Sequence, residues 1–324
     1  MRLLRSRLLG PVLIGLGAFL LVVGVLVRAY AYPALARVPA NFNSWTYLSG
    51  SGVTIFDTDP SVLKPITTDV DITSHTMAGD YPQAPSGVVV WANSTTVTRA
   101  DGGIFQQSIE LSPFDAVTGA ASSYDVGFSS ETEGQRDSVV RTGQVYKFPF
   151  DTQKKDYLQW DGTLGKATPA VYSGETTVQG MKVYKFVQTI EPTALPDKVE
   201  VPGSVFGSSA PSVQATMMYG MVRTLYIEPA TGSPVNRVEQ RNQYLSYDGT
   251  DVPAFVGTVA YTPQTISDTV AKLKTQAPLL SAAHLVLPVG AGVLGALLLA
   301  AGIVLSRRSR TRVAAPQERQ LIDA

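Results

Sequence analysis

Two uncharged apolar runs, one near each end, constrain this chain more than any other feature in it. Residues 8–27 carry no charge over 20 positions, and residues 285–305 carry none over 21. Each matches the roughly 20 residues with which a helix crosses about 30 Å of hydrocarbon. Glycines punctuate both runs, and Pro11 and Pro288 fall in their first turns, where a missing amide donor does least harm. Both read as transmembrane helices; nothing between them is comparable.

Basic residues in short flanks are retained on the cytoplasmic side of a membrane. Arg2, Arg5 and Arg7 precede the first run, and Arg307, Arg308, Arg310 and Arg312 follow the second. Residues 1–7 and 306–324 are therefore expected in the cytoplasm, with 28–284 outside. That middle part holds 18 Lys and Arg against 24 Asp and Glu, while the chain as a whole is neutral. Two other readings of the ends compete with this one. The first run could be a cleaved signal peptide ending at Ala29-Tyr30-Ala31 or Ala34-Leu35-Ala36, although 20 residues exceed the roughly 7–15 of a signal core. Leu287-Pro288-Val289-Gly290 resembles a sortase signal but lacks its Thr-Gly pair and lies inside the apolar run.

The chain has no cysteine, which excludes a disulfide framework, zinc–thiolate sites, Fe–S clusters and thiol catalysis. An acidic outer part without a Lys/Arg cluster argues against nucleic acid as a partner. Its pattern is that of sheet. Val88–Val97, the turn Ala100-Asp101-Gly102-Gly103 and the alternation from Ile104 to Leu111 predict a hairpin. Tyr146–Phe150 and Met181–Ile190 predict further strands, and Val222–Ile227 with Val235–Leu245 a second hairpin. Ile266, Val270, Leu273 and Ala277 share one face of a helix over 265–277, capped by Thr265 or Ser267 and stopped by Pro278. That helix packs on its own domain or lies in the membrane interface. The fold class expected is α+β and β-rich: a mainly antiparallel sheet or barrel-like ectodomain held between two transmembrane helices.

Catalytic chemistry is sparse. His75 and His284 are the only histidines, too few for a His-rich metal centre, and a Ser-His-Asp triad would rest on His75 alone. Asp57-Thr58-Asp59 and Asp69-Val70-Asp71 have the spacing of a nucleotide-sugar cation site, without a Gly-rich phosphate loop, and read as turn residues. Asp151, Asp156, Asp161 and Glu175 form the densest acidic stretch, with no geometry fixed for glycoside cleavage. Asn93-Ser94-Thr95 matches a glycosylation acceptor by accident of a Ser/Thr-rich run. No catalytic residue, metal or cofactor is expected.

One stretch carries a signature: Phe148-Pro149-Phe150-Asp151-Thr152, then Trp160-Asp161, Pro169–Glu175 and Val178–Tyr184, with Tyr226-Ile227-Glu228-Pro229-Ala230-Thr231-Gly232 further on. With a span at each end, this resembles the PorA family of actinobacterial envelope membrane proteins. The resemblance implies a two-pass protein of mycolate-bearing bacteria, with members linked to lipomannan and lipoarabinomannan maturation and no catalytic residues to carry over. A porin needs a closed barrel with an apolar outer band, which helical spans with arginine flanks disfavour. The architecture is similar instead to scavenger-receptor class B proteins, in which two terminal helices hold a barrel around a lipid tunnel, a likeness of outline that does not dictate function.

The function expected is a non-enzymatic factor that binds or transfers a lipid or glycolipid during lipoglycan assembly. A scaffold for a membrane glycosyltransferase, acting through a Gly10/Gly17/Gly24 helix face, is the alternative; a carbohydrate-active enzyme or a porin comes last. The Pro/Gly/Ser-rich stretch 191–215, with the methionines after it, is expected to roof the lipid site as a loop. Leu195, Val205, Phe206, Met217, Met218 and Met221 are its candidate lipid contacts.

Overall fold

A computed structural model describes residues 2–131 and 135–311. The tail beyond Thr311, with most of the cytoplasmic segment expected at 306–324, lies outside the described residues. The chain divides into two compact units, residues 1–36 with 278–324, and residues 37–277.

The first unit is helical. Helix α1 (Arg2–Leu26) continues through a π-helical turn (Val27–Ala31) into α2 (Tyr32–Leu35). On the return, a π-helical turn (Ala282–Val286) leads into α4 (Leu287–Thr311). Both wide turns come just before a proline, Pro33 and Pro288, whose ring would clash with a carbonyl one turn back in a regular helix. The Tyr32 ring stacks on His284 at 4.5 Å between these turns. Among the described residues two helices are long and apolar enough to cross a membrane, residues 8–35 and 263–308. In α1, Gly10, Gly17 and Gly24 recur every seven residues and meet Gly302, Gly295 and Ala291 of α4. Small residues let the two backbones approach along the whole seam.

In the second unit twelve strands form one sheet: β1 (Asn43–Asp57), β2 (Lys64–Ala78), β3 (Val88–Arg99), β4 (Ile104–Asp115), β5 (Phe128–Ser130), β6 (Asp137–Ser138), β7 (Tyr157–Asp161), β8 (Lys166–Val178), β9 (Met181–Pro202), β10 (Ser212–Glu228), β11 (Ser233–Tyr247) and β12 (Thr250–Tyr261). The order β6-β5-β4-β3-β2-β1-β12-β11-β10-β9-β8-β7 is antiparallel throughout. Each run of six strands is a meander, and the two meet where β1 pairs with β12.

The edge strands β6 and β7 do not pair with each other, so the sheet is open, but it curls. Phe56 of β1 shares a cluster with Val201 of β9, four places away in strand order. A relay of single bridges then links β4 to β7: Phe114 with Ala121, Ala120 with Gln144, and Gln144 with Gln159. Gln144 N–H donates to the Leu158 carbonyl at 2.7 Å, and its own carbonyl accepts from Trp160 N–H at 2.8 Å. Gly143 has a positive φ here, and a Cβ on it would stand 2.5 Å from the Leu158 carbonyl.

Several local expectations give way to this topology. Tyr146–Phe150 is not a strand, because its amides go to two separate loops, Phe148 N–H to Gly232 and Phe150 N–H to Val117. Residues 191–215 are not a mobile loop: β9 runs to Pro202, a 3-10 turn (Gly203–Phe206) follows, and β10 starts at Ser212. Pro192 and Pro196 are tolerated because the β9–β10 ladder slips at both, leaving them outside the paired positions. Helix α3 (Pro263–Ser281) begins at Pro263 with Thr262 as its cap, Thr262 Oγ1 accepting from Thr265 N–H at 3.2 Å. Thr265 Oγ1 instead bonds both the N–H and the carbonyl of Tyr47, standing in for the next residue of β12 beside β1. Pro278 does not stop the helix, since one lost hydrogen bond is carried by helical segments on both sides. Ile266, Val270 and Leu273 pack on Met181, Val183 and Val235, so this amphipathic face rests on its own sheet.

Candidate functional site

The two signature segments are bonded to each other. Phe148, Asp151 and Thr152 N–H groups donate to the Gly232, Ala230 and Pro229 carbonyls at 2.8, 3.2 and 2.8 Å. The buried Glu228 carboxylate accepts from Ala230 N–H, Thr231 N–H and the Thr231 hydroxyl. Phe148 itself is packed among Ala170, Phe186, Leu225 and Ile227. These motifs lock the β10–β11 turn to the segment entering β7.

The acidic stretch does not assemble. Asp156 accepts from Tyr172 N–H, Glu175 pairs with Lys154, and Asp161 is buried elsewhere. Asp57 pairs with Arg99 at 2.8 Å, while Asp59 bonds the turn residue Ser61. Asn93 points to the inner face and donates to Ser74 and Thr76 at 2.7 Å, so it is closed to a glycan. His75 stacks on Trp45 at 4.0 Å.

Chemistry concentrates on the inner face of β9, β10 and β11. Alternation puts Val213, Ala215, Met217, Tyr219, Met221, Leu225 and Ile227 of β10 on that face, and Arg223 interrupts the apolar series. Directly opposite Arg223 stands Glu239, flanked on β11 by Arg237 and Arg241. Arg223 Nε donates to Glu239 Oε1 at 2.7 Å, its Nη1 to Gln188 at 2.7 Å and its Nη2 to Asp161 at 3.2 Å. Arg241 donates twice to Glu239 Oε2, at 3.0 and 2.8 Å. Tyr219 donates its hydroxyl to Asp161 at 3.0 Å. Glu239 and Asp161 side chains are each 1% exposed.

Burial alone would drive the Glu239 carboxyl up, but Arg223, Arg237 and Arg241 outweigh it and hold it well below the usual range. Burial, then the Asp161 carboxylate, pushes the Tyr219 phenol up. Arg223 stays charged because Glu239 and Asp161 override its burial. Three guanidinium groups thus face two carboxylates. Nothing in local composition singles these residues out; the available signal was a charge standing in an apolar alternation.

The six candidate lipid contacts divide. Val205, Phe206 and Met217 lie partly buried against Val201, Val213, Ala215 and Leu245. Leu195 and Met221 belong to a second cluster with Ile190 and Tyr219, beside the charged row. Met218, by alternation, points to the opposite face of β10.

A family profile described as Porin PorA matches residues 9–304. A protein named Porin PorA from Corynebacterium resistens is 26% identical, over 34% of this chain and 38% of that protein. Another Porin PorA, from Corynebacterium amycolatum, is 27% identical, over 34% and 35%. The chain spans just over a third of the length of these curated relatives.

Proposed function

The chain belongs to the PorA family, and from that premise we propose that it is a two-pass membrane protein whose sheet domain binds a lipid or glycolipid, without chemistry of its own, as an assembly factor of the cell envelope. One observation carries the reading. On the inner face of β10 and β11, partly exposed apolar side chains around Met217 and Phe206 are followed along the same strands by a row of guanidinium groups. Leu245 and Arg241 are four residues apart on β11, about 13 Å at strand rise, a span suited to an amphiphile. The arginine asymmetry of the termini supports cytoplasmic ends and an outer domain.

A second reading, a conduit for polar solutes, draws on the relatives' name and on the charged inner row. Strands that cross a bilayer need an apolar outer band. Here outward positions include Asp71, Thr96, Gln107, Lys185, Gln240 and Thr258, which favours a domain in water. The scaffold alternative loses its main support, because the Gly10/Gly17/Gly24 face is covered by α4 of the same chain.

The test is mass spectrometry of lipids copurifying with the detergent-solubilised protein and with a Phe206→Ser/Met217→Gln variant. Near-ultraviolet circular dichroism checks that the variant is folded. We expect a defined lipid on the parent protein and its loss from the variant. Lipid retained undiminished by a folded variant counts against this site.

A further inference from the structure

The charged row on β11 contains one guanidinium that the protein holds by an ion pair but by no hydrogen bond among the described residues. Arg223 is committed to Glu239, Gln188 and Asp161, and Arg241 to Glu239. Arg237 makes no hydrogen bond among the described residues: its Nε is buried without an acceptor, and the nearest carboxylate oxygen, Glu239 Oε1, is 3.4 Å away. Its side chain is nevertheless 31% exposed on the inner face. Its five guanidinium donors in a fixed fork match the oxygens of a phosphate.

Two aromatic rings back this fork. Arg237 lies over Tyr261 at 5.5 Å, and Arg241 over Phe255 at 5.1 Å, which orients both guanidinium planes from behind. Glu239 neutralises only one of the three positive charges and Asp161 another, so the row keeps one positive charge uncompensated. Leu225 and Met221, both buried, stand directly opposite Arg237 and Arg241 on β10, so the row is bordered by apolar side chains.

We infer that Arg237, supported by Arg241, is the seat of a phosphate-type oxyanion, presented as the headgroup of an anionic amphiphile. The inference rests on the lipid-binding reading above and adds the class of headgroup. Arg241 has its Nε and Nη2 turned to Glu239, so Arg237 supplies the principal donors and Arg241 chiefly charge. A neutral diacyl lipid would leave the Arg237 donors unpaired in the bound state, which sets the expected preference.

The experiment measures binding by titration calorimetry to the full-length chain in nonionic detergent. The probes are dioctanoyl phosphatidic acid, dioctanoylglycerol and inorganic phosphate, each tested on the parent protein, Arg237→Gln and Arg237→Lys. Arg237→Gln removes an ion pair to Glu239, so near-ultraviolet circular dichroism checks that it is folded, and Arg237→Lys keeps the charge without the fork. We expect the parent to prefer phosphatidic acid over dioctanoylglycerol by about tenfold or more, with Arg237→Gln abolishing the preference. Arg237→Lys should fall between the two. Inorganic phosphate binding that depends on Arg237, with no gain from acyl chains, would uphold the oxyanion seat with free phosphate as its source and count against the lipid reading. Equal binding of both lipids by the parent and by Arg237→Gln would overturn the seat while leaving lipid binding intact. No binding of any probe to the parent would overturn both.

Discussion

A Cβ on Gly17 would stand 2.6 Å from the carbonyl oxygen of Gly295, and one on Gly295 would stand 2.8 Å from the carbonyl oxygen of Gly17. Neither glycine can take a side chain without parting the two helices at mid-seam. Gly17→Leu should therefore separate α1 from α4. The protein has no native cysteine, so a Gly24→Cys/Ala291→Cys pair gives a clean crosslinking readout. We expect efficient crosslinking in the parent background and a several-fold loss with Gly17→Leu. Undiminished crosslinking would contradict the close seam.

The orientation of the domain is testable by the same chemistry. Ser51→Cys should react with an impermeant thiol reagent added to intact cells, and Ala324→Cys should react only after permeabilisation. External labelling at Ala324 would sink the proposed topology.

Removing the carboxylate at Glu239 should be severe. Glu239→Gln leaves Arg223, Arg237 and Arg241 around a neutral amide, and breaking a buried ion-pair network by deleting one partner costs about 3–5 kcal/mol. Because the folded carboxyl is held well below its usual range, its contribution is complete above the ordinary glutamate pKa and fades only as pH falls through the lower folded value. Thermal melts should show a large loss for Glu239→Gln at pH 7. A loss within ~0.5 kcal/mol would indicate that the charges are individually solvated.

Lys147 makes stability rise with pH too, but in a more alkaline window and by relief of a destabilising buried charge. Burial pushes its ammonium down to about 7, with Asp115 opposing only in part, and its Nζ lies 3.7 Å from the centre of the Phe150 ring without a hydrogen-bond partner. The unfolded chain keeps the ordinary lysine value, so between about pH 7 and 10.5 it binds the proton more readily than the folded protein. Stability should rise with pH across that window. Lys147→Met should remove this rise and stabilise the protein at pH 6 by up to about 5 kcal/mol. An unchanged pH profile in Lys147→Met would show that the ammonium is solvated.

How much of this was legible in the chain depends on the range of each interaction. The spans could be read because hydrophobicity is local, and hairpins such as Val88–Leu111 because turn chemistry and alternation lie within a few residues of each other. The face of α3 that carries Ile266, Val270 and Leu273 was legible by period, but its resting place on Val183 and Val235 was not. Prolines misled twice. Pro192 and Pro196 suggested a loop and Pro278 a helix stop, yet bulges in the β9–β10 ladder and continuous helix on both sides absorbed them.

The site belongs almost wholly to the tertiary structure. Asp161 and Arg223 are 62 residues apart, and Gln188 and Arg223 are 35 apart. They meet because β7, β8, β9 and β10 are neighbours in one sheet, a strand order that no local pattern encodes. The sequence by itself determined where the chain can enter lipid and which segments alternate. Which alternating faces turn inward, and hence which charges are stripped of water and forced to pair, was decided only when twelve strands curled into a single sheet.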